Sequence, residues 1–112
     1  MKGLIIKDPY ADYILDGKKT WELRGSNTHI RGRVAIIKSG TKQVFGTVNL
    51  CDCLPVTLKI LKNFSDRHCV KDLKGIKYKQ VFAWVVKDPH RYSKPKSYIH
   101  PNGAVVWVNL KE

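Results

Sequence analysis

The sequence predicts a small α+β domain, a closed or nearly closed barrel of about six strands flanked by two or three short helices. Three observations lead there. The chain has 112 residues, enough for one domain spanning 1–112 and too few for two ordinary ones. Its apolar fraction of 43% suits one modest core. Most apolar residues fall in short runs punctuated by Gly, Pro and Asn, and so short a sheet would be left with exposed edges unless it closed on itself.

Residues 3–7 are a short apolar run, read as a strand. Asp8-Pro9 reads as a helix start, a carboxylate N-cap followed by proline at the first helical position. Tyr10, Ala11, Tyr13, Ile14 and Leu15 then form an apolar stripe that Gly17 closes. A helix this short needs a larger body to dock on. A strand over 20–24 and a polar loop over 25–29 follow. Residues 34–39 form a continuous apolar run ended by Gly40, the mark of a buried strand. Another strand covers 44–53 until Pro55 breaks it, and Gly46 inside it predicts a bulge or a close approach to the backbone. Residues 54–73 read as two helical pieces, 56–61 and a second capped by Ser65 and ending near Gly75. Ser65, Asp66 and His68 are read as capping residues, not as a hydrolytic triad. Residues 81–86 are a buried strand turned at 88–90, 91–101 a basic loop with at most an edge strand, and 104–110 a last strand.

Lys and Arg number 21 against 9 Asp and Glu, a formal charge of +12. On so small a domain that field favours polyanionic partners: RNA, DNA or an anionic surface. The cations are scattered, Lys38, Lys42, Lys59, Lys74, Arg91 and Lys96 lying in different segments, which predicts a basic face on a folded body. No run is long enough to span a membrane, and the first eight residues meet charge too soon for a signal peptide. The expected location is intracellular, cytoplasmic by default with the nucleus open, and no membrane partner is expected. Cys51, Cys53 and Cys69 argue against a disulfide framework. With His68 they lack the spacing of a zinc site, so the thiols are read as buried and no metal or cofactor is expected.

Residues 17–24, Gly-Lys-Lys-Thr-Trp-Glu-Leu-Arg, concentrate the chemistry. Charges of both signs beside apolar strand residues are costly to bury unless they pair. Alternation puts Thr20, Glu22 and Arg24 on one face and Trp21 and Leu23 on the other. Glu22 and Arg24 can then pair, with donors of Arg24 left for a ligand. Lys19 has the wrong parity and joins them only from the turn at Gly17 or through a bulge. The plainer reading is a solvated strand face with an ordinary ion pair.

Gly17-x-Lys19-x-x-Glu22-x-Arg24 resembles the G-x-K-x-x-E-x-R signature of the ASCH domain, a PUA-like β-barrel related to RNA-binding modules. The helix over 9–15 looks like that family's first helix, and Arg31-Gly32-Arg33 is similar to its second landmark. Phe82-Ala83-Trp84-Val85 resembles its aromatic strand, and Asp88-Pro89 with 103–107 its closing segment, so the resemblance covers nearly the whole chain. It implies a cleft between the barrel and the first helix, lined by the motif, where RNA or a modified base is held. The ligand-binding candidates are Lys19, Thr20, Glu22 and Arg24, with Arg31, Arg33, Lys38, Ser39, Trp84, Arg91 and Tyr92 around them. Lys19 and Arg24 can meet phosphate or a base carbonyl, and Glu22 can accept from an exocyclic amine or orient Arg24. Trp84 or a tyrosine can stack a splayed base, while Trp21 and Trp107 read as core. Tyr92 and Tyr98, beside Arg91, Lys94 and Lys96, read equally as RNA contacts and as a plain basic loop. The expected partner is nucleic acid, above all single-stranded RNA, or a modified nucleoside.

The resemblance also implies a competing function. One small bacterial branch of the family deacetylates acetylated cytidine with a lysine and a threonine of the motif, and another branch is described as a ribonuclease. The lysine corresponds to Lys19, but Glu22 stands where the deacetylase has its threonine. The alternative to a binding module is a small metal-independent hydrolase, a ribonuclease or a nucleoside amidohydrolase, with Lys19 and Glu22 catalytic. A third class, a protein-interaction module whose charge aids only solubility, would bind no nucleic acid in a salt-dependent way.

Overall fold

The computed structural model describes residues 1–111. Six strands form one mixed sheet of order β2-β5-β4-β3-β1-β6. They are β1 (Lys2–Ile6), β2 (Trp21–Arg24), β3 (Gly32–Lys38), β4 (Gln43–Val56), β5 (Val81–Ser97) and β6 (Trp107–Asn109). Helix α1 (Tyr10–Leu15) follows β1, and α2 (Leu58–Leu61), α3 (Ser65–His68) and a 3-10 turn (Leu73–Gly75) lie between β4 and β5. β1 and β3 are parallel; the other pairs are antiparallel. Edge strands β2 and β6 do not pair with each other, so the sheet curls into a barrel-like body without closing its ladder.

Alternation along β3 sorts the core. Val34 and Ile36 face α1 and pack with Leu4, Ile14, Val48 and Trp84. Ala35 and Ile37 face the other way, into a smaller cluster with Val44 and Val108. A third cluster, of Trp21, Leu23, Val56, Leu61 and Val81, seats α2 against the far end of β4 and β5.

Several local expectations change. Asp8 does not cap α1: the Asp8–Pro9 peptide is cis, Pro9 takes the N-cap position, and the Asp8 carboxylate sits 3.3 Å from Lys38 Nζ. Pro55 does not end β4, which runs to Val56 with Pro55 opposite Phe82. β3 stops pairing at Leu50, so Pro55 lies where β4 has become an edge and a missing donor costs no ladder bond. Asp88-Pro89 does not end β5 either. It is a bulge, with Asp88 at φ 52 and the register slipping opposite Thr47 and Asn49. The segment read as loop therefore stays paired with β4 as far as Ser97. Thr57 caps α2 by accepting from Ile60 N at 3.2 Å, whereas Ser65 is the first residue of α3 and not its cap. The last strand is only Trp107–Asn109. Cys51 is exposed and Cys53 half-buried, because residues 51–53 have left the cover of β3; Cys69, at the end of α3, is half-buried too. No helix among the described residues is long and apolar enough to cross a membrane.

Gly46 meets its expectation in both respects. The β4 register shifts between Val44 and Gly46, and a Cβ there would overlap the His90 carbonyl and come within 2.8 Å of Leu15 Cδ2. Helix α1 thus docks where the sheet has no side chain. Gly46→Ala is expected to cost about 1–3 kcal/mol by overpacking. Gly75→Ala, whose Cβ meets nothing within 4 Å, should stay within about 0.5 kcal/mol of wild type in the same denaturant titration.

Candidate functional site

Gly17, at φ 82, turns the chain out of α1, and the N–H groups of Lys18 and Lys19 both donate to the Tyr13 carbonyl at 2.9 and 3.0 Å. This turn aims Lys19. It lies before β2 begins, so strand parity does not apply to it and its side chain joins those of Glu22 and Arg24. Lys19 is 2% exposed. Its ammonium donates to the His68 carbonyl, stands 3.7 Å from Glu22 Oε1 and lies 5.1 Å from the centre of the Tyr10 ring.

The other carboxylate oxygen belongs to Arg24. Glu22 Oε2 accepts from Arg24 Nε at 2.9 Å and lies 2.8 Å from Nη2, and Nη2 also donates to the Ile5 carbonyl at 2.9 Å. That last bond joins edge strand β2 to β1 across the open seam of the sheet. Two cations therefore flank one carboxylate, leaving a surplus of one positive charge in a nearly dry place. Burial pulls the Lys19 pKa below its ordinary 10.5 and Arg24 pulls the same way, while Glu22 works against both.

His68, fully buried, supports this arrangement from outside the motif. Its Nε2 lies 2.7 Å from the Leu61 carbonyl and its Nδ1 accepts from Val70 N at 2.9 Å, so Nε2 carries the proton. With the ring pinned at both nitrogens, the backbone carbonyl is held facing Lys19.

Lys19, Glu22 and Arg24 open into a cleft of about 600 Å³. Its lining also includes Ile5, Lys7 and Tyr10 from the β1–α1 segment, and Val70, Asp72, Ile76, Lys77 and Tyr78 from the segment that precedes β5. A Cβ on Gly25 would come within 2.5 Å of Tyr78 Cδ1, so the glycine after the motif lets the tyrosine ring lie against the end of β2. Of the residues anticipated from sequence, Ser39 joins these three in the lining.

The others are elsewhere. Trp84 is 2% exposed, stacks on Trp107 with centroids 5.7 Å apart and donates from Nε1 to the Ser26 carbonyl at 2.9 Å. It is core beneath the Arg24 guanidinium, 5.6 Å from its ring centre, and not a platform. Thr20 is used through its backbone, donating to the Arg67 carbonyl and accepting from Val86 N. Lys38 is 2.8 Å from Asp12 and 3.3 Å from Asp8, and Arg91 is 3.1 Å from Asp12 and 2.8 Å from Asp16. The Lys38 hydrogen bond holds the Asp12 pKa below its usual value. Arg31 donates to the carbonyls of Thr28 and Ile30, Arg33 donates to Thr47 Oγ1 at 3.1 Å, and Tyr92 packs in the outer cluster of Ala35 and Val44. The wall at 70–78 and Tyr10 were missed by sequence reasoning; the basic-aromatic run Lys77-Tyr78-Lys79 was their one signal.

The family model for the ASCH domain matches residues 4–98. The chain belongs to the ASCH family. A crystal structure of ASCH from Zymomonas mobilis superposes with a TM-score of 0.75 at 16% identity, covering 99% of this chain and 87% of that one. A tyrosine-to-phenylalanine variant of the same Zymomonas mobilis protein gives 0.76, also at 16% identity, over 99% of this chain and 90% of that one. At such identity the likeness concerns the PUA-like fold. The comparison with curated proteins gives no match.

In this ASCH domain the shared carboxylate is the electrostatic keystone. Glu22→Gln should leave Lys19 and Arg24 without a counter-charge and cost about 3–5 kcal/mol in denaturant unfolding. Adding Lys19→Met to Glu22→Gln should recover part of that loss, a coupling that a double-mutant cycle measures directly.

Proposed function

We propose that this ASCH domain binds single-stranded or modified RNA, or a nucleotide-like ligand, in the cleft floored by Lys19, Glu22 and Arg24. One observation carries the reading: the buried Lys–Glu–Arg chain keeps a net positive charge at the floor of a cleft of about 600 Å³. That volume suits a nucleoside and falls within the roughly 300–1,000 Å³ typical of small-ligand sites. Arg24 engages Nε and Nη2 within the protein, leaving Nη1 to meet a phosphate oxygen or a base carbonyl. Both oxygens of Glu22 face cations, so its part is to hold Lys19 and Arg24 in place. Tyr78, 48% exposed on the rim beside Lys77, is placed to stack a base. The formal charge of +12 supports a polyanionic partner, and ASCH domains are generally thought to bind RNA.

A second reading rests on Lys19 itself. A lysine made less basic by burial is what a metal-independent ribonuclease or nucleoside amidohydrolase would use for proton transfer or for stabilising developing charge. One assay separates the two. Labelled single-stranded RNA is incubated at low and moderate salt with wild type, Tyr78→Ala and Lys19→Met, and both shift and cleavage are read. The binding reading expects intact RNA, a shift that weakens with salt, and a loss of roughly 5- to 150-fold in Tyr78→Ala, the equivalent of one stacked base. Cleavage by wild type that disappears in Lys19→Met would establish the hydrolase instead.

The pH dependence adds a check. Because burial holds the Lys19 pKa below 10.5, its charge is lost at a lower pH than that of an exposed lysine. Binding should fall as the pH rises, before bulk lysines titrate, and Lys19→Met should lack that limb.

A further inference from the structure

The sheet has an outer face that neither α1 nor the cleft uses. Cross-strand register places Arg33 beside Asn49 and Asn49 beside Lys87, one row across β3, β4 and β5. In the next row, Ala35 pairs with Thr47 and Thr47 with His90. Directly paired residues share a face, so Arg33, Asn49, Lys87, Thr47 and His90 all point away from the side where Val34 and Ile36 meet α1. The contacts agree: Arg33 reaches Thr47 Oγ1, the His90 and Tyr92 rings meet edge-on with centroids 5.9 Å apart, and Lys96 Nζ stands 4.6 Å from the Tyr92 ring centre.

We propose that this outer strip is a second contact surface, for the sugar-phosphate backbone and stacked bases of a single-stranded nucleic acid, separate from the cleft. The argument is charge complementarity joined to aromatic content. Arg33, Lys87 and Lys96 are exposed, and among the described residues none of them has a carboxylate within ion-pair distance. Asp88, adjacent to Lys87, sits in the bulge and pairs with none of them. The contrast is with Lys38 and Arg91, whose charges Asp8, Asp12 and Asp16 take up. A cationic row about two strand spacings wide, roughly 10 Å, with His90 and Tyr92 beside it, joins the two features that bind single strands without base-specific readout. A protein strand is a poor occupant of the adjoining β5 edge, since Pro89, Pro95 and the bulge at Asp88 blunt it against pairing.

The nucleic-acid identity of the partner rests on the reading of the cleft; the geometry of the strip does not. The test uses the full chain and two probes, uridine monophosphate and a single-stranded RNA of about 12 nucleotides, within the span of one single-strand site. In the Arg33→Gln/Lys87→Gln/Lys96→Gln variant, binding of the longer RNA should weaken. The slope of log K against log salt should fall by about 2, roughly 0.7 for each lost phosphate contact. Binding of the mononucleotide should be unchanged. Tyr92→Leu, which keeps apolar packing, should weaken the longer RNA at an unchanged slope.

A triple variant that binds the longer RNA with wild-type affinity and slope overturns the proposal. So does a wild type that binds the two probes equally well, and in that case the cleft reading stands. A wild type that ignores the mononucleotide but binds the longer RNA through the three cations keeps the strip and removes the cleft. Binding of neither probe removes both.

Discussion

The Glu22 carboxylate, divided between Lys19 and Arg24, is the interaction on which the rest of the structure depends. Ions of this kind cost several kcal/mol each to bury unless paired, and both oxygens here are engaged. At a separation of about 4 Å and an effective dielectric near 20, each attraction is worth about 4 kcal/mol before desolvation. Each cation then has a structural task. Arg24 reaches the Ile5 carbonyl and bridges the seam that the β-ladder leaves open, lying over the Trp84 ring. Lys19 reaches the His68 carbonyl and ties the last residue of α3 to the start of β2. The same atoms that could meet a ligand thus hold together the two sides of its cleft.

Cations elsewhere divide into those the protein has used and those it has left open. Asp8, Asp12 and Asp16, near or on the short α1, take up Lys38 from β3 and Arg91 from β5. Each pair is at least partly exposed and worth little alone, about 0–1 kcal/mol. Together they fix the position of a helix too short to be stable by itself, over the bare backbone of Gly46. Lys38 and Arg91 therefore serve α1, although composition alone made them as plausible as ligand contacts as any other basic residue.

Apolar runs made the strands legible, because a buried strand needs little more than a run of the right length between turns. Val34 to Ile37 and Val81 to Val86 are of that kind. The prolines misled for a definite reason. Pro55 and Pro89 look like breakers until the neighbouring strands are known, and only topology reveals that both lie where a ladder neighbour has ended or a bulge absorbs them. In the site, the Glu22–Arg24 pair followed from strand parity, whereas the position of Lys19 depended on a turn and on His68, 49 positions along the chain. Tyr78 was equally hidden, since its place against Gly25 is a long-range contact with no periodicity to announce it.

The way the charges are spent also narrows what the cleft can select. Glu22 has no acceptor left without a cation beside it, and Lys19 and Arg24 are donors only. A ligand entering the floor must therefore bring acceptors, which favours phosphate oxygens and base carbonyls over amino groups. The donors are already held by Ile5, His68 and Glu22, so few side chains need to be ordered when the ligand arrives. A preorganised array of donors with surplus positive charge, set in a cleft whose walls also carry Lys7, Lys77 and the carboxylate of Asp72, suits the oxygen-rich edge of a nucleotide better than it suits a purely apolar guest.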